Sequence, residues 1–199
     1  MSILDKVVAA VTPPESDEAR AEAREKARAA AANCQWLSTV LQHHQQIEDA
    51  FAAVKSAGDA ASRRQAQKRL ALVLTGHAVA EESVLYPALA LHGEKAHATK
   101  GYTEQSATKI QMAGLEELDP MSQDYDDKFE HIRGAVLHHM YEEEGNWFPD
   151  LVEKTGSGEQ LAARFQEEYD RYTGSASSSS AQSLTGMTSM GGLSPAAAT

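Results

Sequence analysis

Two stretches of this chain are copies of one another, and they constrain its fold more than any other feature. His77-Ala-Val-Ala-Glu81-Glu82-Ser-Val-Leu-Tyr86-Pro87 and His139-Met-Tyr-Glu-Glu143-Glu144-Gly-Asn-Trp-Phe148-Pro149 place His, Glu, Glu, an aromatic ring and Pro in the same order and spacing. Each copy lies in an apolar stripe of helical period: Leu70, Val73, Leu74, His77, Glu81, Val84, Leu85 in the first, and Ile132, Ala135, Val136, His139, Glu143, Trp147 in the second. Residues four apart on a helix stand one above the other, so each stripe aims an imidazole and a carboxylate into the same buried region. A third stripe, Leu37, Val40, Leu41, His44, Ile47, Glu48, Phe51, has the same layout.

The rest of the chain fits an all-α fold. Alanine is the commonest residue and aromatic residues are 6% of the 199, a composition that favours helix over sheet. Helical patterns run from Ser16 to Ala57, Ala60 to Leu91, Glu94 to Leu118 and Ser122 to Trp147, punctuated by Gly58, Gly93 and Pro120. Short connections between four long helices predict an up-down four-helix bundle over residues 16–151. Residues 1–15 read as a separate N-terminal segment, 158–172 as an extra C-terminal helix, and 173–199, rich in Ser, Gly and Thr, as a flexible tail. Within that tail Leu184, Met187, Met190 and Leu193 recur every third residue, which suggests a docking peptide for a protein partner.

Charge and cysteine content narrow the chemistry. A formal charge of −11 argues against nucleic-acid phosphates and anionic lipid as partners, and the single Cys34 excludes a disulfide and a thiolate zinc site. No signal-peptide pattern or membrane span is apparent, so a cytoplasmic location is expected. Several carboxylates on apolar faces need a cation, and few basic residues share those faces. Imidazole and carboxylate without thiolate suit iron, manganese or zinc, and bridging carboxylates in a helical core favour two ions.

These motifs resemble the hemerythrin-like cation-binding (HHE) family over roughly Trp36 to Leu151. The resemblance is carried by His44-x-x-x-Glu48, His77-x-x-x-Glu81-Glu82 with Tyr86-Pro87, and His138-His139-x-x-Glu142-Glu143-Glu144 with Phe148-Pro149. It implies a four-helix bundle around a bridged di-iron centre, with Glu81 and Glu143 as bridging ligands and His44, His77 and His139 as terminal ones. Glu48 would be a ligand or an outer acceptor. On the third helix the family's His is replaced by Gln105, leaving three alternatives: Glu104 ligates, Tyr102 supplies a phenolate, or one position stays open. His97 is a weaker candidate.

The remaining polar and aromatic residues have plainer expectations. His43, His92, His131 and His138 are expected at the surface or behind ligands, Glu82, Glu142 and Glu144 toward solvent, and Trp36, Trp147 and Cys34 in the packing. The resemblance implies binding of O2, NO or hydrogen peroxide. The alternative is a di-iron enzyme with catalase-, peroxidase- or ferroxidase-like activity, or iron storage or sensing. Oxygen donors in place of a nitrogen donor at Gln105 stabilise ferric iron and favour the enzyme.

Overall fold

The computed structural model describes residues 15–174, and within them the fold is helical with no strand. The N-terminal segment before Glu15 and the tail, with its Leu184, Met187, Met190 and Leu193 repeat, lie outside the described residues. In chain order the helices are α1 (Asp17–Ala31), α2 (Gln35–Ser56), α3 (Ala60–Ala80), α4 (Tyr86–Leu91), α5 (Lys95–Glu116), α6 (Gln123–Glu142), α7 (Phe148–Thr155) and α8 (Glu159–Thr173). No helix among the described residues is long and apolar enough to cross a membrane.

Side-chain caps set three of the starts. Ser16 accepts from the Ala19 N–H at 3.1 Å, Asp59 from those of Ala61 and Ser62 at 2.9 Å, and Ser122 from that of Tyr125 at 3.2 Å. Each satisfies N–H groups that the first helical turn leaves without partners.

Two departures from the sequence reading shape the site. The helical pattern expected to run unbroken from Ser16 to Ala57 is interrupted, with Cys34 in extended conformation at φ −133° and ψ 101°. The break lets α1 fold back across α2 and lie on the segment that follows α6, where the small residues Ala23, Ala27 and Ala31 form its buried edge. The second departure is a change of helical winding inside each motif, just before its proline. A five-residue π turn, Glu81–Leu85, joins α3 to α4, and another, Glu143–Trp147, joins α6 to α7. Pro87 and Pro149 each stand in the first turn of the helix that follows.

A proline in a helix leaves a carbonyl without its N–H donor. Here side chains donate instead. The Tyr102 hydroxyl donates to the carbonyl of Glu82 at 2.7 Å, and Lys26 Nζ to that of Gly145 at 2.7 Å.

The core has two apolar halves. One gathers Trp36, Leu37, Leu85, Leu89, Trp147, Phe148 and Phe165; the other gathers Ile47, Phe51, Leu70, Leu115, Tyr125, Phe129 and Ile132. Along the helices the histidines fall between them: His44 between Val40 and Ile47, His77 between Leu74 and Ala80, and His139 between Val136 and Trp147. Helix α8 packs on α3 and α2 and closes this layer from outside. It is entered through Gly158 at φ +55°, where an added Cβ would stand 2.7 Å from the Trp36 ring. Phe165, fully buried, is its anchor. Truncation by Phe165→Ala should cost about 3–5 kcal/mol in urea unfolding, the range for deleting a buried ring.

Candidate metal centre

Four residues from three rods of helix converge in the layer between the apolar halves. His44 (α2), His77 (α3), Glu81 (first π turn) and Glu143 (second π turn) are all buried, and each offers a ligand-type atom within 4.8 Å of the others. The contacts among them are close without being hydrogen bonds of good geometry. His77 Nε2 lies 3.1 Å from Glu81 Oε1, and His44 Nε2 lies 3.4 Å from Glu143 Oε2. All four of those atoms are buried without a hydrogen-bond partner. Unpaired polar atoms are rare inside proteins because each forfeits its hydration. Two imidazole nitrogens and two carboxylate oxygens that face one another in this way form a donor set suited to a metal ion.

Outer groups hold two of the rings. Glu144 Oε1 is 2.7 Å from His44 Nδ1, and Glu104 Oε2 is 2.8 Å from His139 Nδ1. Each carboxylate occupies the ring's outer nitrogen and turns Nε2 inward, the usual arrangement behind a metal-bound histidine. Arg24 of α1 completes the chain, donating to Glu144 at 2.6 Å and to Glu48 at 2.7 Å.

This corrects two expectations. Glu144 does not face solvent: it is 2% exposed, because the π turn swings it beneath α1. A basic residue does reach these faces, but it comes from α1, which the expected continuous first helix would have carried away. Glu82 and Glu142 are only half-buried, paired with Lys109 and Lys100.

The other expected residues fall as follows. His139 is buried and points Nε2 at Glu143 Oε1, 3.1 Å away, and at the Tyr86 hydroxyl, 3.0 Å away. Gln105 is buried in the same place and donates through Nε2 to Glu81 Oε2 at 2.6 Å and to Tyr86 Oη at 2.6 Å. Glu48 sits outside the cluster on Arg24, and Tyr102 is partly exposed with its hydroxyl on the Glu82 carbonyl. His97 stacks on Trp147 at 5.2 Å, His138 pairs with Glu15, and His92 is exposed. His43 is not at the surface: it is 5% exposed and packs against Tyr169, Phe165 and His77.

Tyr86, read from the sequence only as the aromatic ending of its motif, is fully buried at the centre of the polar layer. Its one signal in the sequence is that the matching position in the second copy is Phe148.

Charge explains the protonation of the ring nitrogens. Burial works to lower the pKa of His44, but Glu143 and Glu144 outweigh it and lift it to about 9. Burial opposes His139 in the same way, and Glu143 with Glu104 holds it well above the ordinary histidine value. For Glu143, burial would raise the pKa, and the two histidines overcome it and hold it far down. His43 goes the other way, pushed down to about 3 by burial and by the neighbouring imidazoles. Protonated His44 and His139 therefore neutralise the acids when no metal does.

An all-helical fold with a buried His/Glu cluster of metal-ligand type defines the class: a helical cation-binding domain. The model of the hemerythrin HHE cation binding domain matches residues 37–151, and the chain belongs to that family. A curated relative, a DNA nickase from Nostoc sp. (strain PCC 7120 / SAG 25.82 / UTEX 2576), is 25% identical over 125 residues, covering 62% of this chain and 36% of the relative. The chain thus spans little more than a third of that relative's length. No solved structure matches the chain significantly.

The raised histidines set the sign of a pH effect. A base with a raised folded pKa stabilises the fold below its unfolded value and loses that contribution as pH rises through the folded one. Thermal unfolding of the metal-free protein should show Tm falling between about pH 6.5 and 9. Metal, which needs the neutral ring, should flatten or reverse that slope.

Proposed function

We propose that this chain is a hemerythrin-like non-haem iron protein that binds O2, NO or hydrogen peroxide at the His/Glu centre. We also propose that its long helices take the up-down order of a four-helix bundle. The observation that carries the reading is the set of four buried, unpartnered atoms facing one another: His44 Nε2, His77 Nε2, Glu81 Oε1 and Glu143 Oε2. Iron suits imidazole and carboxylate donors without thiolate. When bound, it supplies the redox chemistry toward O2, NO or peroxide.

The chain's own residues do the rest. Glu144, backed by Arg24, fixes the ring of His44, and Glu104 fixes that of His139. A cavity of about 30 Å³ adjoins the layer, with His77, Gln105 and His139 on its polar side and Leu74, Met112 and Val136 on its apolar side. That cavity has room for a water-sized molecule beside the ligand-type atoms, which suits a diatomic or a peroxide. The apolar halves above and below exclude bulk water from the ligand atoms.

A second reading, turnover of peroxide or oxidation of ferrous iron, is favoured by Gln105 on α5, where a nitrogen donor is replaced by oxygen-rich surroundings. Small ligands in the cytoplasm are the proposed partners of the centre, with a protein partner for the tail. The action named for the nickase is not carried over, since a charge of −11 leaves little to hold phosphates.

Two measurements test the proposal. Protein purified after growth in iron-rich medium should contain iron, and chelation should lower its Tm. Glu143→Gln should weaken iron binding by at least about 100-fold, beyond the 10–100-fold that outer partners are worth. Protein with no iron and a Tm indifferent to chelator would overturn the reading. Stopped-flow mixing of the ferrous protein with O2 and then with peroxide separates the two functions: a spectrum that reverses under vacuum indicates a carrier, and sustained peroxide loss an enzyme.

A further inference from the structure

We infer that Tyr86 is itself a metal ligand, its phenolate oxygen holding a second ion beside His139, Glu81 and Glu143. The inference rests on the iron reading above and adds a ligand that is neither His nor Glu.

Distances around the Tyr86 hydroxyl carry it. Oη stands 3.0 Å from His139 Nε2, 3.1 Å from Glu143 Oε1 and 3.3 Å from Glu81 Oε2. An ion with bonds of about 2.1 Å spaces adjacent ligand atoms by about 3 Å, the side of a right angle between two such bonds. The spacing around Oη is therefore that of neighbouring ligands on one ion. The carboxylates also divide correctly. Glu81 and Glu143 each turn one oxygen, Oε1 and Oε2 respectively, toward His77 and His44, and the other toward Tyr86. Each acid thus presents one oxygen to each half of the centre, as a bridge between two ions requires.

The position is built rather than incidental. Tyr86 follows Glu81 by five residues, and the π turn between them brings both onto one face. Opposite the ring, α5 carries Gly101, where an added Cβ would lie 2.7 Å from Tyr86 Cζ, so glycine leaves the room that lets the ring reach inward. Gln105 directs its amide nitrogen at Oη from 2.6 Å, a donor that would support the negative charge of a phenolate. In the second motif the corresponding ring is Phe148, which packs edge-on against Trp36 at 5.6 Å and brings no oxygen. The chain thus has one hydroxyl at this place, on the side where α5 offers the Gln105 amide instead of an imidazole. Ligation exchanges the phenol O–H bond for an oxygen–metal bond, and the proton leaves to solvent; no electrons move.

The test is optical and analytical. Protein loaded anaerobically with ferrous iron and then oxidised with ferricyanide should bind about two irons per chain. It should show an intense visible phenolate-to-ferric band, with tyrosine ring modes enhanced in resonance Raman excited within it. Tyr86→Phe should abolish the band and bring the iron content down to about one per chain. Tyr102→Phe, which removes only the bond to the Glu82 carbonyl, should leave both unchanged. Gly101→Ala, which crowds the ring, should weaken the band and offers a second route if Tyr86→Phe folds poorly. Wild-type protein that holds iron but shows neither the band nor the Raman modes overturns the assignment to Tyr86 and leaves the iron reading standing. A band that survives Tyr86→Phe, or that disappears with Tyr102→Phe, also overturns it. Wild-type protein that binds no iron overturns both.

Discussion

Two carboxylates buried in an apolar core are the constraint on which the rest of this structure depends. Glu81 and Glu143 are fully buried, and an acid in such a place must be neutralised or the fold does not tolerate it. The chain gathers positive charge toward them from several directions. His44 and His139 can carry protons, and Arg24 reaches Glu144 from outside. A metal ion bound there would replace the protons and satisfy the inward nitrogens and oxygens that are otherwise unpaired. The same atoms thus serve stability in one state and metal binding in the other, which couples loading of the site to the fold.

The π turns are the backbone's part in this arrangement. Both begin at a buried glutamate and both precede a proline. On an α-helix, residues five apart point about 140° away from each other. A π turn spreads one turn over more residues and brings the fifth back toward the first. That places Tyr86 over Glu81 and draws Glu144 beneath α1. Such turns occur often at functional sites, where the weaker backbone pairing is tolerated because side chains gain by it. Here Tyr102 and Lys26 cover carbonyls beside the two prolines, so the irregularity is supported from neighbouring helices.

The helices added to the core also act on the centre. Helix α1 brings Arg24 to it, and α8 sets Phe165 and Tyr169 against His43, which closes the side of His77 away from the acids. Neither helix contributes an atom to the facing cluster of His44, His77, Glu81 and Glu143. They instead fix the surroundings that decide ring orientation and water access.

The sequence by itself determined the helical class, the punctuation by Gly58, Gly93 and Pro120, and the meeting of three histidine-bearing stripes, because helical period alone dictates which side chains share a buried face. It could also place Gln105 where an imidazole was expected. The tertiary structure decided what a period of 3.6 cannot carry. Breaking the helix at Cys34 sent Arg24 back to the site, and the two π turns reassigned Tyr86 and Glu144 from motif ending and solvent face to the interior. Glu48 and Tyr102, whose spacing suited ligation, were drawn instead to Arg24 and to a backbone carbonyl. In each case a contact between residues far apart in the chain outweighed the local pattern, and no local pattern encodes such a contact.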